Sequence, residues 1–80
     1  LHAEDDDAVG RQWDLTPAQE ASLREAVTMG YFTVPRRTTA GEVAGELGIS
    51  KSAFLERLHR GLNALLAQVF DVAPPAPPAD

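Results

Sequence analysis

The chain has 80 residues, no cysteine and a formal net charge of −5. A chain of this length forms one small domain with a thin core, and without cysteine it has neither disulfide bonds nor thiolate ligands for a metal ion. It contains no run of roughly 18 apolar residues that would span a membrane, and no signal-peptide pattern. These properties predict a cytoplasmic domain with no membrane partner.

Charge is unevenly distributed along the chain. The first 14 residues hold five carboxylates and one arginine, whereas residues 36–60 hold five basic side chains and three carboxylates. The overall negative charge argues against nucleic acid as a partner, but the basic excess in the middle permits it. Six of the seven basic residues are arginine, and with the many carboxylates this composition is typical of proteins from a salt-rich cytoplasm.

The two ends of the chain lack the patterns of folded structure. Residues 1–12 are acidic and have almost no apolar pattern, which predicts a flexible arm. Residues 71–80 include the stretch APPAPPAD, which predicts a Pro-rich disordered tail. The folded domain is therefore expected at residues 13–70. Because the first residue is leucine rather than methionine, we expect the chain to be a piece of a longer protein.

The first helix is predicted to begin at the stretch TPAQ. Thr16 is a favourable N-cap, Pro17 suits the first helical position, and Gln19 completes a capping box. Gly30 is the expected end of this helix. Its predicted apolar stripe consists of Ala18, Leu23, Ala26 and Val27.

Residues 31–37, YFTVPRR, are predicted to form an extended connector. They combine aromatic and β-branched residues with a proline. We expect Tyr31, Phe32 and Val34 to pack beneath the helices, and the rings of Tyr31 and Phe32 to belong to the core and not to stack on bases. Trp13, which precedes the first helix, is expected to anchor the incoming arm.

A second capping box predicts the second helix. Thr39 and Glu42 have the required spacing, and the helix is expected over residues 40–47. Gly41 and Gly45 lie inside it, and each lowers its stability by about 1 kcal/mol relative to alanine. This helix therefore depends on packing against its neighbours. The side chains expected to be buried are Val43, Ala44 and Leu47.

The third helix is predicted to be the longest. Gly48 takes the left-handed conformation that reverses the chain, and Ser50 caps a helix from Lys51 to about Phe70. One face of this helix is apolar at steps of three and four residues. Its members are Phe54, Leu58, Leu62, Leu65 and Val69. No strand pattern competes, so the predicted fold is all-α.

The second and third helices with their tight turn have the spacing of a helix-turn-helix unit. Ala44 is small where the two helices approach closely, and Ile49 inserts the turn into the core. Six positions agree with the requirements of the motif. These positions are Val43, Ala44, Leu47, Gly48, Ile49 and Phe54.

The stretch from residue 15 to residue 66 resembles the bacterio-opsin-activator type of helix-turn-helix domain, found in haloarchaeal transcription regulators. The resemblance is carried by LTP at 15–17, GYF at 30–32, VPRR at 34–37 and ELGISKSA at 46–53. A more distant resemblance, through RLHRGLNAL at 57–65, is to region 4 of sigma factors. The resemblance to the bacterio-opsin-activator type implies a small three-helix domain with a long recognition helix, which serves as the C-terminal output domain of a longer sensor-regulator.

Two features depart from this family's pattern. Gly41 and Gly45 stand where helix-forming residues are usual, so the second helix is expected to be weaker here. Leu55 stands where a small polar residue is commoner. A thymine methyl group or a protein surface would both suit this leucine.

With Phe54 and Leu58 facing inward, the opposite face of the third helix would present its first turns to the base edges of double-stranded DNA. The predicted base contacts are Lys51, Ser52, Leu55, Glu56 and His59. The predicted phosphate contacts are Arg36, Arg37, Thr39, Ser50, Arg57 and Arg60.

Several of these residues have a simpler interpretation. Glu56 and Arg60 are four residues apart and have the spacing of an exposed ion pair. His59 is equally compatible with a solvated histidine, and Arg36 with Arg37 would also suit a solvated turn.

An enzymatic function is not indicated. The carboxylates of the acidic arm lack a rigid support, the histidines lack metal-ligand spacing, and no nucleophile has a partner base. We expect no cofactor, metal ion or small-molecule ligand. The alternative is a helical protein-interaction or dimerisation module that retains the fold without DNA binding, in which the apolar end of helix three contacts a protein partner or a second copy.

Overall fold

The structure is a computed structural model that describes residues 13–73. Three helices are present in this range: α1 at Pro17–Met29, α2 at Ala40–Leu47 and α3 at Lys51–Val69. Each helix packs against the other two, and residues 13–73 contain no strand. The predicted all-α, three-helix fold is confirmed. None of the helices among the described residues has the length and apolarity to cross a membrane.

The helices begin at the predicted caps. In α1 the Thr16 hydroxyl accepts from the Gln19 backbone N–H at 3.1 Å, and the Gln19 side chain accepts from the Thr16 N–H at 3.1 Å. Thr39 and Glu42 form the same reciprocal pair at the start of α2. Ser50 accepts from the Ala53 N–H at 3.1 Å at the start of α3. These bonds satisfy backbone donors that have no partner within the helix.

The helices α1 and α2 end at the predicted glycines. Gly30 has a φ of 84° and Gly48 a φ of 71°, which is the left-handed region that favours glycine. The backbone N–H of Ile49 then donates to the Ala44 carbonyl oxygen at 3.0 Å and fixes the turn between α2 and α3. The third helix ends at Val69, one residue before the predicted Phe70, which is its C-cap.

The core lies where α1 and α2 cross the middle and the first turns of α3. Phe54, Val43 and Ala26 are completely buried, and Leu58 is nearly so. Gly61 lets α1 approach α3 closely, because a Cβ atom there would lie 2.9 Å from Leu23 Cδ1. The other buried hydrophobic residues are Leu23, Tyr31 and Ala44. Leu47, Ile49, Leu62 and Leu65, all predicted in the core, pack at its edge.

The predicted stripe of α1 is wrong at two positions. Ala18 and Val27 are exposed, whereas Ser22 is buried among the core residues. Leu23 and Ala26 are buried as predicted. The covered face of α1 therefore includes Ser22, Leu23 and Ala26, and Val27 lies outside it.

The prediction that Phe32 and Val34 pack beneath the helices is also wrong. The backbone N–H groups of Thr33 and Arg37 both donate to the Gly30 carbonyl oxygen, so the connector folds into a compact loop. Phe32 is partly exposed and Val34 is 98% exposed at the tip of this loop. Only Tyr31 enters the core.

Val69 was expected to continue the buried face of α3, but it is more than half exposed. Among the described residues of α3, no core residue and no hydrophobic residue packed against the core lies beyond Leu65. The predicted acidic arm at 1–12 and most of the predicted tail at 71–80 lie outside the described residues.

Candidate nucleic-acid interface

The outer face of the first half of α3 carries most of the predicted base contacts. Ser52, Glu56 and His59 are exposed on this face, and Lys51 is exposed at its start. The inner face is fixed by Phe54 and Leu58, which are both buried. The side chains available for recognition therefore project from a helix that is firmly held on its other side.

Leu55 occupies a different environment from the other predicted base contacts. Its side chain is half-buried and packs against the core. It also lines a cleft of about 460 Å³ between the connector, the start of α2 and the start of α3. The other residues that line this cleft are Tyr31, Arg36, Thr38, Thr39, Ala40, Gly41 and Lys51. Only part of the leucine is therefore available to a partner.

Glu56 and Arg60 form the ion pair that their spacing indicated. Arg60 Nη2 lies 2.9 Å from Glu56 Oε2, and both side chains are mostly exposed. Exposed pairs of this kind contribute only about 0.3–0.5 kcal/mol to stability. The pair therefore costs little to open.

Arg36 is not a freely solvated turn residue. Its Nε–H donates to the Tyr31 carbonyl oxygen at 2.8 Å, and its guanidinium lies 4.1 Å from the centre of the Tyr31 ring. Tyr31 itself is buried. The guanidinium is therefore held at the edge of the cleft by two contacts with one residue.

Arg37 is fixed through its backbone and its aliphatic stem. Its N–H donates to the Gly30 carbonyl oxygen at 3.0 Å, and a Cβ atom on Gly30 would lie 2.9 Å from Arg37 Cβ. The residue is exposed, and its guanidinium forms no ion pair with the residues that the structure describes. Its full charge is available to a partner.

Thr39 and Ser50 are the N-caps of α2 and α3. The Thr39 hydroxyl accepts from the Glu42 N–H at 3.1 Å and lies 3.3 Å from Glu42 Oε1. A backbone hydrogen bond from Thr39, with further bonds from the Thr38 and Thr39 hydroxyls, holds the pKa of Glu42 below its ordinary value. The negative charge of this carboxylate therefore lies beside the hydroxyl that is predicted to contact a phosphate. Among residues 13–73, no carboxylate is bonded to Ser50.

Arg57 lies on the other flank of α3. It is half-buried, and it follows Leu55 by two residues, which corresponds to roughly 200° around the helix. Arg36 and Lys51 line the cleft on the Leu55 flank. Cationic side chains therefore stand on both sides of the outer face of α3.

Two residues of this region were not assigned a role in the site from the sequence. Tyr31 was expected only in the core, yet it also holds Arg36. No sequence motif marks Thr38, a buried residue with a hydroxyl that donates to Glu42 Oε1 at 3.1 Å. The spacing of Tyr31 and Arg36 within YFTVPRR was visible in the sequence, but their contact depends on the loop that closes on Gly30.

The capped α2, the left-handed turn at Gly48 and the capped α3 have the geometry of a helix-turn-helix domain. A family model described as a helix-turn-helix DNA-binding domain matches residues 15–75. The chain belongs to this family, of the bacterio-opsin-activator type. It is thus a DNA-binding domain of the class found in transcription regulators.

Curated relatives come from haloarchaea. The chain is 42% identical over 59 residues to the transcriptional regulator NarO of Haloferax volcanii, covering 74% of this chain and 28% of that protein. It is 44% identical over 57 residues to a dimethyl sulfoxide reductase transcriptional activator of the same organism, covering 71% and 27%. A protein of that name from Halobacterium salinarum is 37% identical over 59 residues, covering 74% and 26%.

The chain spans about a quarter of the length of these three relatives. No solved structure gives a significant match to the chain.

Proposed function

We propose that this chain is the sequence-specific output domain of a cytoplasmic transcription regulator, with residues 51–60 of α3 in the major groove of DNA. The observation that carries this proposal is the arrangement of α3. An exposed polar face lies between two flanks that carry cationic side chains. A major groove admits one α-helix and places phosphates on both sides of it.

Base recognition is assigned to the outer face and its leading edge. Ser52 pairs with several bases, Glu56 accepts from the amino group of cytosine, and Lys51 donates to guanine. His59 extends the same face by two turns from Ser52. The exposed part of Leu55 is suited to the methyl group of a thymine.

The phosphate contacts fix the register of the domain on DNA. Arg36, Arg37 and Arg57 are assigned here, because none of them is paired with a carboxylate among the described residues. The Ser50 hydroxyl and the N-terminus of α3 favour an additional phosphate. Arg60 joins these contacts when its exposed pair with Glu56 opens. Thr39 is the least favourable of the predicted contacts, because Glu42 is bonded to it.

The names of the relatives support a role in transcription. Three are called a regulator or an activator of transcription, and two of these names refer to dimethyl sulfoxide reductase. We assign the chain the DNA-binding step of such a protein and no catalytic function. Further segments would then supply the response to a signal.

Selection of bound duplexes from a randomised pool tests this assignment. Ser52→Ala and Glu56→Ala should change the preferred sequence, because both residues lie on the proposed reading face. Arg37→Ala should weaken binding to all sequences and leave the preferred sequence unchanged, because phosphates carry no sequence information. Glu46→Ala, on the exposed side of α2, is the matched control and should change neither property.

The assignment fails if all four variants select the same sequence with the same affinity as the parent chain. It also fails if Arg37→Ala alters the selected sequence while Ser52→Ala does not. Each variant is checked by circular dichroism so that loss of binding is not confused with loss of the fold.

A second function is favoured by the carboxyl end of α3. Four apolar side chains in this region are each 45% or more exposed. Leu66 and Val69 lie in the last turns of α3, and Phe70 and Val72 follow it. Such a cluster on a small domain is typical of a protein contact. We propose that it pairs with a second copy of the chain. Light scattering with size exclusion should show a dimer that Leu66→Asp converts to a monomer, and a parent chain that is already monomeric contradicts the pairing.

A further inference from the structure

Arg36 differs from the other arginines whose contacts are known in the described part of the chain. Arg24 and Arg60 pair with Glu20 and Glu56, one turn away on their own helices. Arg36 is instead held by the carbonyl oxygen and the ring face of Tyr31. These two groups are neutral, so they restrain the guanidinium without cancelling its charge.

The position of Arg36 is linked to α3 through the core. The Tyr31 ring meets the Phe54 ring edge to face, with centres 5.6 Å apart and an angle of 87°. Phe54 is completely buried in the first half of α3. A chain of three side chains therefore connects the guanidinium to the helix proposed to read the bases.

The hydrogen bond to Tyr31 leaves most of the guanidinium available. Arginine has five N–H donors in a fixed fork, and only the Nε–H is used in this contact. The Nη groups remain for a planar, two-bonded contact with a phosphate. A side chain that is already ordered loses less conformational entropy when such a contact forms.

We infer that Tyr31 is a positioning residue, which fixes the Arg36 guanidinium for contact with one DNA phosphate and sets that contact in register with α3. This inference rests on the proposed function and deepens it. Tyr31 does not touch DNA in this arrangement. It acts by holding Arg36.

A double-mutant cycle tests the inference. The 80-residue chain and the variants Tyr31→Leu, Arg36→Ala and their combination are titrated into a fluorescein-labelled duplex of random sequence at several KCl concentrations. Arg36→Ala should make the slope of log K against log salt less negative by roughly one, because one phosphate contact is lost. Tyr31→Leu should weaken binding about three- to tenfold with little change in slope, since the charge of Arg36 remains.

The combined variant should bind no more weakly than Arg36→Ala alone, because Tyr31 acts through Arg36. The same loss from Tyr31→Leu in both backgrounds would overturn the inference and show a general effect on the fold. In an Arg37→Ala background, which serves as the matched control, Tyr31→Leu should keep its full effect. Tyr31→Phe keeps the aromatic ring that Tyr31→Leu removes, and both variants keep the backbone carbonyl group. The affinity of Tyr31→Phe for the duplex should therefore remain near that of the parent.

Because Tyr31 is buried, Tyr31→Leu is checked for folding by circular dichroism. Should it fail to fold, Arg36→Lys replaces it, since lysine keeps the charge but has neither the Nε–H donor nor the planar fork. Arg36→Lys should lose affinity and keep the salt slope, and an affinity equal to that of the parent would overturn the inference. A folded parent chain without salt-dependent binding would remove the proposed function itself, which is a distinct result.

Discussion

The two ends of α3 follow the same apolar spacing but have different surroundings. Phe54 and Leu58, near the start, are 0% and 1% exposed, whereas Val69 and Phe70, near the end, are 53% and 69% exposed. Phe54 and Leu58 belong to one core cluster with Tyr31 and residues of α1 and α2, whereas no residue after Leu65 packs against that cluster. Amphipathic spacing therefore predicts that a face is apolar, but the neighbouring elements decide whether it is covered.

This difference matters for function. A recognition surface needs a rigid support, because small displacements of its side chains weaken specific contacts. The enclosed half of α3 supplies that support for the proposed reading face. The exposed end has no role in the proposed DNA contact, and its apolar side chains are available for a second copy.

The two phenylalanines give the largest test of this comparison. Phe54→Ala should lower the free energy of unfolding by about 3–5 kcal/mol, because it leaves a cavity in the core. Phe70→Ala should change it by less than about 0.5 kcal/mol in a monomer, because the side chain is mostly exposed. Urea unfolding followed by circular dichroism measures both. Equal losses would mean that the end of α3 is as well packed as its start.

Adding one methyl group at each of two glycines, Gly61 in α3 and Gly45 in α2, tests how closely each helix is packed. At Gly61 a Cβ atom would lie 2.9 Å from Leu23 Cδ1 and 3.2 Å from Gln19 Cβ, whereas at Gly45 it would meet no atom within 4 Å. Gly61→Ala should lower the free energy of unfolding by about 1–2 kcal/mol through overpacking. Gly45→Ala should raise it by roughly 0.5–1 kcal/mol through helix propensity. Thermal unfolding measures both effects. If the midpoint temperatures of the two variants shift in the same direction, this packing is contradicted.

A substitution at Glu42 tests how much the cap of α2 contributes to the free energy of unfolding, and the expected effect is smaller than those above. The helix α2 packs against α3. Hydrogen bonds from the backbone of Thr39 and from the hydroxyls of Thr38 and Thr39 lower its pKa. The stabilising contribution is therefore present above the ordinary glutamate pKa of about 4.3 and is lost as the pH falls through the lower pKa of the folded chain.

Glu42→Gln should keep the capping box, as the neutral Gln19 does in α1, but make the loss of stability in acid less steep. Glu46→Gln, on the same helix, should leave the acid dependence unchanged. Urea midpoints across an acidic pH series measure the difference. Identical acid profiles for the parent and Glu42→Gln would show that the carboxylate adds nothing to the cap.

The boundaries of the helices could be predicted because they depend on local chemistry. Thr16 and Thr39 have capping partners three residues away, and Gly30 and Gly48 adopt the left-handed conformation. Such signals involve neighbours in the sequence and need no knowledge of the tertiary fold.

The burial of individual residues could be predicted only in part. Ser22 and Val27 lie about 140° apart around α1, and the packing of α1 against the other two helices determines which of them is covered. Phe32 and Val34 are exposed because their loop closes on Gly30. These outcomes depend on how the elements pack together, which cannot be predicted from the apolar pattern of a single segment.

In the candidate site, too, some features could be predicted from local sequence and others depend on tertiary packing. Ser52, Glu56 and His59 followed from helical spacing once Phe54 was placed inside. The restraint on Arg36 did not follow, because it requires the loop to bring the guanidinium over Tyr31. The assignment of these residues to DNA remains a prediction.

The central claim is that cationic side chains around the first half of α3 bind DNA phosphates. Its most direct test is the salt dependence of binding to a labelled random-sequence duplex, measured for the parent, Arg37→Ala and Phe70→Ala. About three to five phosphate contacts predict a slope of about −3 to −4.5, which becomes less negative by roughly one in Arg37→Ala and is unchanged in Phe70→Ala. Absence of binding at low salt by the folded chain, or a slope that Arg37→Ala leaves unchanged, would contradict the claim.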